Sequence, residues 1–235
     1  MDALEFINRY AAGERNFEGV DLSGSNLSGA NFERARLDGA NLSGANLSKA
    51  NFHLAELYGA NLSEADLSEA DFHCANLEGA NLSDANLSEA KLSSANLEAA
   101  NLRYAMLRLA RGETANFKGA VLEEANLSDA GLGDCNLEGI NLEGADLSGA
   151  YLKESVLHGA NLGNANLTNA VLTFASLKRA NLKGANLTNA EIQEAYLDNA
   201  NLRGAIVKGC DLDCSYKMNT VMPDGQVIST QGYMP

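Results

Sequence analysis

The sequence predicts an all-β fold, a right-handed quadrilateral parallel β-helix with a short helical cap at its N-terminus. Three observations predict it. An apolar residue recurs at every fifth position from Phe17 to Leu212. A small residue stands two places before most of them, and the two places after are mostly small or polar, as tight turns prefer.

The frame runs through forty positions without a slip. Leu fills 32 of them and Phe five (Phe17, Phe32, Phe52, Phe72, Phe117), with Gly112, Ile192 and Val207 taking one each. Ala fills 33 of the forty places two residues earlier, the exceptions being Arg15, Val20, Ser25, Cys135, Ile140, Ser155 and Cys210. Regular structures cannot use this period. Five residues of α-helix turn through about 500°, so successive leucines would drift ~140° around the axis and form no stripe. In a continuous strand a step of five sends successive leucines to opposite faces. The chain must therefore bend once per repeat. The Ala and Leu of a repeat are two apart, so a short extended piece points both the same way. Four bends close a square coil of twenty residues. Forty repeats then make about ten coils, a body ~48 Å long at about 4.8 Å per coil.

The turns agree. Pairs such as Ser23-Gly24, Ser43-Gly44 and Glu143-Gly144 follow the core leucines, and Gly at the second central position suits a type II turn. Where Lys49, Glu64, Asp84 or Asn164 takes that place, a type I turn is expected. Residues twenty apart should stack, giving a ladder of Phe32, Phe52 and Phe72 and another of Asn41, Asn61, Asn81 and Asn101. A stack needs covered ends. Residues 1–14 carry Leu4, Ile7 and Ala11 at helical spacing and read as the N-terminal cap. Residues 15–214 are the repeat body, and residues 215–235 the C-terminal cap. There Met222-Pro223-Asp224-Gly225 reads as a turn between two short extended pieces.

Composition narrows the function classes. The chain carries 31 acidic and 17 basic side chains, a net charge of −14. Direct nucleic-acid binding needs a basic footprint and is not expected. An acidic surface favours a soluble monomer. No apolar run approaches the ~20 residues of a membrane span. The opening MDALEFINRYAAGER does not read as a signal peptide, and reduced cysteines fit an expected cytoplasmic location. Cys74, Cys135, Cys210 and Cys214 fit neither a disulfide framework nor a paired zinc motif.

The Ala-(Asn/Asp)-Leu-X-X pattern over residues 15–214 is the signature of the pentapeptide-repeat family, and the chain is identified as a member by that resemblance. The family's quadrilateral β-helix is implied with it. The opening RYAAGERNF and the closing MPDG resemble cyanobacterial members, and the length and near-unbroken frame resemble, among those, regulators of heterocyst differentiation. This resemblance implies a non-enzymatic scaffold with a regulatory protein partner in heterocyst patterning. Its action would relieve inhibitory signalling on the transcription factor HetR. Other family members mimic DNA and inhibit DNA gyrase, which stands as the alternative. A structural or stress-related rod is a further one. A DNA stretch of ~48 Å carries roughly 28 charges. This chain has half that, which disfavours mimicry.

Departures from the repeat are where a site would show. In residues 101–117 Gly112 replaces the core leucine, and a bulge there is one reading. Arg103, Arg108 and Arg111 form a basic cluster on an acidic chain, while Tyr104, Met106 and Leu109 occupy solvent-facing places. Exposed aromatic, Met and Arg side chains are enriched at interfaces, so these six are the candidate partner-binding residues. The same features also fit a tolerated repeat defect. Glu33, His53 and His73 should stack on one side with Cys74 adjacent, which fits either a metal or two surface histidines placed by the repeat. No phosphate loop, nucleophile elbow or zinc helix is present, and no catalytic residue, cofactor or metal is expected.

Overall fold

The structure, a computed structural model, describes residues 1–229. Its body is a β-helix-like solenoid in which each paired residue meets, in parallel, the residue twenty places on, from Asn16 with Arg36 to Asn201 with Val221. One paired residue falls on each five-residue side, so four sides complete a coil.

A single repeat shows why the register holds. In Asn41–Ala45 the Asn41 amide donates to Val20 O of the preceding coil at 2.8 Å. The Leu42 amide donates to Asn61 O and the Gly44 amide to Ser63 O of the following coil, at 2.7 and 2.8 Å. The Ala45 amide closes the turn on Leu42 O at 3.2 Å, and the Ser43 amide donates to Asn41 Oδ1 at 3.3 Å. All five amides are thus satisfied, as buried or half-buried backbone requires.

The turns differ from expectation at the positions without glycine. Lys49, Glu64, Asp84 and Asn164 have φ of +60°, +58°, +58° and +56°, beside +61° for Gly44. A type I turn would hold that residue near −90°. The reason lies in the ladder: the Lys49 amide donates to Ser68 O of the next coil at 2.8 Å, as Gly44 does to Ser63. The left-handed conformation aims that amide along the solenoid axis, and every side must use it whatever its residue.

The inward Leu, Phe and Ala side chains form one continuous core. Phe32, Phe52 and Phe72 stack with centroids 4.5 and 4.7 Å apart. Outside, Asn61, Asn81 and Asn101 each donate through Nδ2 to the Oδ1 of the Asn one coil back, at 3.4, 3.2 and 3.0 Å.

The N-terminal cap is helix α1 (Ala3–Ala11), N-capped by Asp2 accepting from the Glu5 amide. Its covering face is not the one read from the spacing. Leu4 and Ile7 are exposed, whereas Phe6 is fully buried. Phe6 stacks on Phe32 with centroids 4.6 Å apart, extending the ring ladder, and Tyr10 OH donates to Glu33 O at 3.0 Å. Aromatic stacking outweighs the aliphatic stripe.

At the other end Leu212, read as the last core leucine, instead lies in a 3-10 turn, Leu212–Cys214, half-buried against the core. Asp211 starts that turn by accepting from the Asp213 amide. The ladder then resumes with Tyr216 on Tyr196 and Val221 on Asn201. Lys217 occupies an inward place there, with Nζ donating to Leu212 O at 2.6 Å and lying 3.4 Å from Asp213 Oδ1. Strands β1 (Thr220–Val221) and β2 (Val227–Ile228) pair antiparallel around the Met222–Gly225 turn.

Gly112 does not bulge. Its amide donates to Gly131 O at 2.7 Å and the Arg111 amide to Ala90 O at 2.9 Å, both in register. A Cβ added at Gly112 would lie 3.0 Å from Leu132 Cδ2 and 3.7 Å from Phe117 Cε2, so neighbouring side chains have closed over the missing leucine. Restoring the repeat with Gly112→Leu is therefore expected to destabilise by about 1–3 kcal/mol through overpacking. Phe52→Ala, in the middle of the ring ladder, is expected to cost about 3–5 kcal/mol. Chemical denaturation midpoints check both, and a stabilised Gly112→Leu chain would show the core open at that level.

Candidate interaction surface

Function-bearing side chains on this body can sit only on the outward residue of a side or on the two turn residues. The side centred on Met106 is bounded by the turns Arg103–Tyr104 and Arg108–Leu109. Five of the six candidate residues therefore frame one side, all of them exposed, with Tyr104 at 53% and Met106 at 46%. Arg111 lies on the next side. There it joins Leu109, Lys91, Asp71 and His73 along a shallow groove.

Electrostatics separate the three arginines. Arg103 reaches across to Glu123 at 2.6 Å. Arg108 and Arg111 enter no ion pair among the described residues. The cluster is thus one neutralised arginine and two available ones, separated by a corner.

The histidine row forms as spaced. The His53 and His73 rings stack with centroids 5.5 Å apart, and His53 Nδ1 lies 3.9 Å from Glu33 Oε1. Among the described residues no three His, Cys, Asp or Glu side chains come together as a metal site. No helix there is long and apolar enough to cross a membrane.

The cysteines have unequal surroundings. Cys135 fills an inward place usually held by Ala, its Sγ 2.8 Å from Gly112 O. Burial pushes its thiol up to about 12. Burial, with the Asp211 charge second, pushes Cys210 up to about 11. Cys74 is exposed. Since the thiolate is the nucleophile, iodoacetamide at pH 8 is expected to modify Cys74 on the native chain and to reach Cys135 only after denaturation. Peptide mass mapping checks this, and rapid native modification of Cys135 would contradict the closed core at Gly112.

Two further groups of exposed side chains escape a reading of the repeat frame. Tyr151, Phe174 and Tyr196 are exposed, with Lys153 5.9 Å from the Phe174 ring and Lys178 4.9 Å from the Tyr196 ring. The second group is basic. Residues 155–190 contain Lys178, Arg179 and Lys183 and no Asp or Glu. Charge counted by stretch rather than over the whole chain finds it.

Comparison with known proteins places this architecture. The family model for pentapeptide repeats matches in eight copies, within residues 16–213. The chain belongs to the pentapeptide-repeat family. Among solved structures it is similar to HetL, a pentapeptide repeat protein involved in heterocyst differentiation regulation from Nostoc sp. strain PCC 7120. The identity is 38%, over 97% of this chain and 100% of HetL, with a TM-score of 0.58. A second Nostoc pentapeptide repeat protein is 37% identical over 47% of this chain and 80% of its own, at a TM-score of 0.25. The plasmid-mediated fluoroquinolone resistance protein QnrB1, in a trypsin-treated variant, is 22% identical over 83% of this chain and 90% of its own, at 0.42. A search of the curated proteins found no match.

Proposed function

We propose that this chain is a cytoplasmic, non-enzymatic regulatory scaffold that acts by binding a protein of the heterocyst-patterning pathway. Its effect would be positive regulation of heterocyst differentiation, by relieving inhibitory signalling on HetR. The observation that carries this reading is the similarity to HetL over essentially the full length of both chains. The body adds physical support. It offers a rigid, regular outer surface, and its exposed Met, Tyr and Arg side chains interrupt ladders of Asn and Ser. On this reading the body is right-handed with about ten coils. The Met106 side with its two turns is then a partner contact, and Arg108 its available charge.

The expected outcome in a heterocyst-forming cyanobacterium is that extra copies of the chain raise the heterocyst count per filament. An Arg103→Glu/Arg108→Glu variant with unchanged circular dichroism is expected to lose most of that effect. Unchanged counts with the native chain would sink the pathway, and full activity of the variant would sink the contact. In a supercoiling assay the chain is expected to leave DNA gyrase unaffected, and inhibition would favour DNA mimicry.

A further inference from the structure

The net charge is unevenly placed. Residues 1–154 hold 25 of the 31 acidic and 11 of the 17 basic side chains, so the entire −14 lies there. Residues 155–235 hold six of each. Within that last third the charges separate again by side. One side is centred on Asn161, Asn181 and Asn201, the next on Asn166, Asn186 and Ile206. On these two sides and the turns that follow them, residues 160–170, 180–190 and 200–210, there is no Asp or Glu. Lys183 and Arg203 stand one above the other at the turn between the two sides. Lys208 stands at the far turn and Arg179 at the near one. All four are exposed, and none enters an ion pair among the described residues.

The surroundings leave these cations as the charged donors available to a partner. Asn181 Nδ2 is committed to Asn161 Oδ1 at 2.8 Å, and Asn186 Nδ2 to Thr168 Oγ1 at 3.0 Å. The Asn201 side chain accepts from the Arg203 amide at 3.1 Å. Gly163, Gly184 and Gly204 keep the corner between the two sides low. Ile206, 54% exposed, is an apolar contact among the cations.

We propose that these two sides of the C-terminal third are a docking surface for a short acidic protein segment carrying at least one apolar side chain. This rests on the reading of the chain as a binding scaffold and adds a contact separate from the Met106 side. Charge complementarity selects the occupant: unpaired Arg and Lys attract carboxylates, Arg bidentately, and Ile206 takes the apolar residue. The extent of the surface disfavours a DNA duplex. The three levels span only about 10 Å. Glu143 and Asp146 lie one coil below on the same two sides, Asp198 borders Arg179, and Asp224 follows in the end hairpin. A polyanion with one charge per ~1.7 Å would run onto those carboxylates.

The test is fluorescence polarisation with a labelled twelve-residue peptide rich in Glu and containing two Leu, at low and at physiological salt. Binding to the native full chain is expected, weakening as salt rises. Lys183→Glu/Arg203→Glu, at exposed turn positions, is expected to weaken it roughly tenfold or more, with circular dichroism unchanged. Arg103→Glu/Arg108→Glu is expected to leave it intact. The proposal is overturned if the native chain ignores the peptide, if both variants bind equally well or equally poorly, or if a single-stranded DNA 12-mer binds more tightly. A chain that raises heterocyst counts yet ignores the peptide loses this surface alone. Peptide binding without any change in counts loses the pathway alone.

Discussion

The structure depends on the turn amide that crosses from one coil to the next. At each corner the second turn residue donates its N–H along the axis, as Lys49 does to Ser68 O and Glu64 to Ser83 O. To do so it must adopt a positive φ, at a cost of roughly 1–2 kcal/mol wherever it is not glycine. That cost is accepted at many corners because an amide left unpaired there would interrupt the ladder on both neighbouring coils. The same requirement sets the twenty-residue register, and the register places every other side chain.

Because the register is so strict, identical residues become physical neighbours. Phenylalanines twenty apart stack, and asparagines twenty apart pass a hydrogen bond from Nδ2 to Oδ1 up the body. The ladders also limit what the surface can say. An Asn bound above, below and to the amide two residues on has few donors left for a partner. Information is therefore carried by the interruptions: Met106, Tyr151, Tyr196 and Ile206 where Asn or Asp is usual, and charged residues at the turns.

Much of the fold was legible in the sequence because a five-residue period admits few solutions. The ladders, the inward Leu and Ala, and the turn at Met222–Gly225 all follow from spacing and elementary turn chemistry. What spacing misjudged were places where one interaction overrode the pattern. Phe6, not Leu4 and Ile7, covers the end, because its ring meets Phe17 and Phe32. Leu212 leaves its place because Asp211 starts a 3-10 turn. At Gly112, where the sequence left a bulge open, the register holds and Leu132 and Phe117 close over the missing side chain.

The period, the coil of twenty and the inward residues through most of the repeat body follow from sequence alone, since hydrophobic burial and the two-residue alternation of extended chain favour that arrangement. The six candidate residues were legible only as a cluster along the chain. Tertiary structure decided which of them share a side, that Arg103 is neutralised by Glu123 while Arg108 and Arg111 are not, and that Lys183 and Arg203 stack into an acid-free surface. Those outcomes depend on contacts between residues about twenty apart and around corners. Only the closed coil creates them.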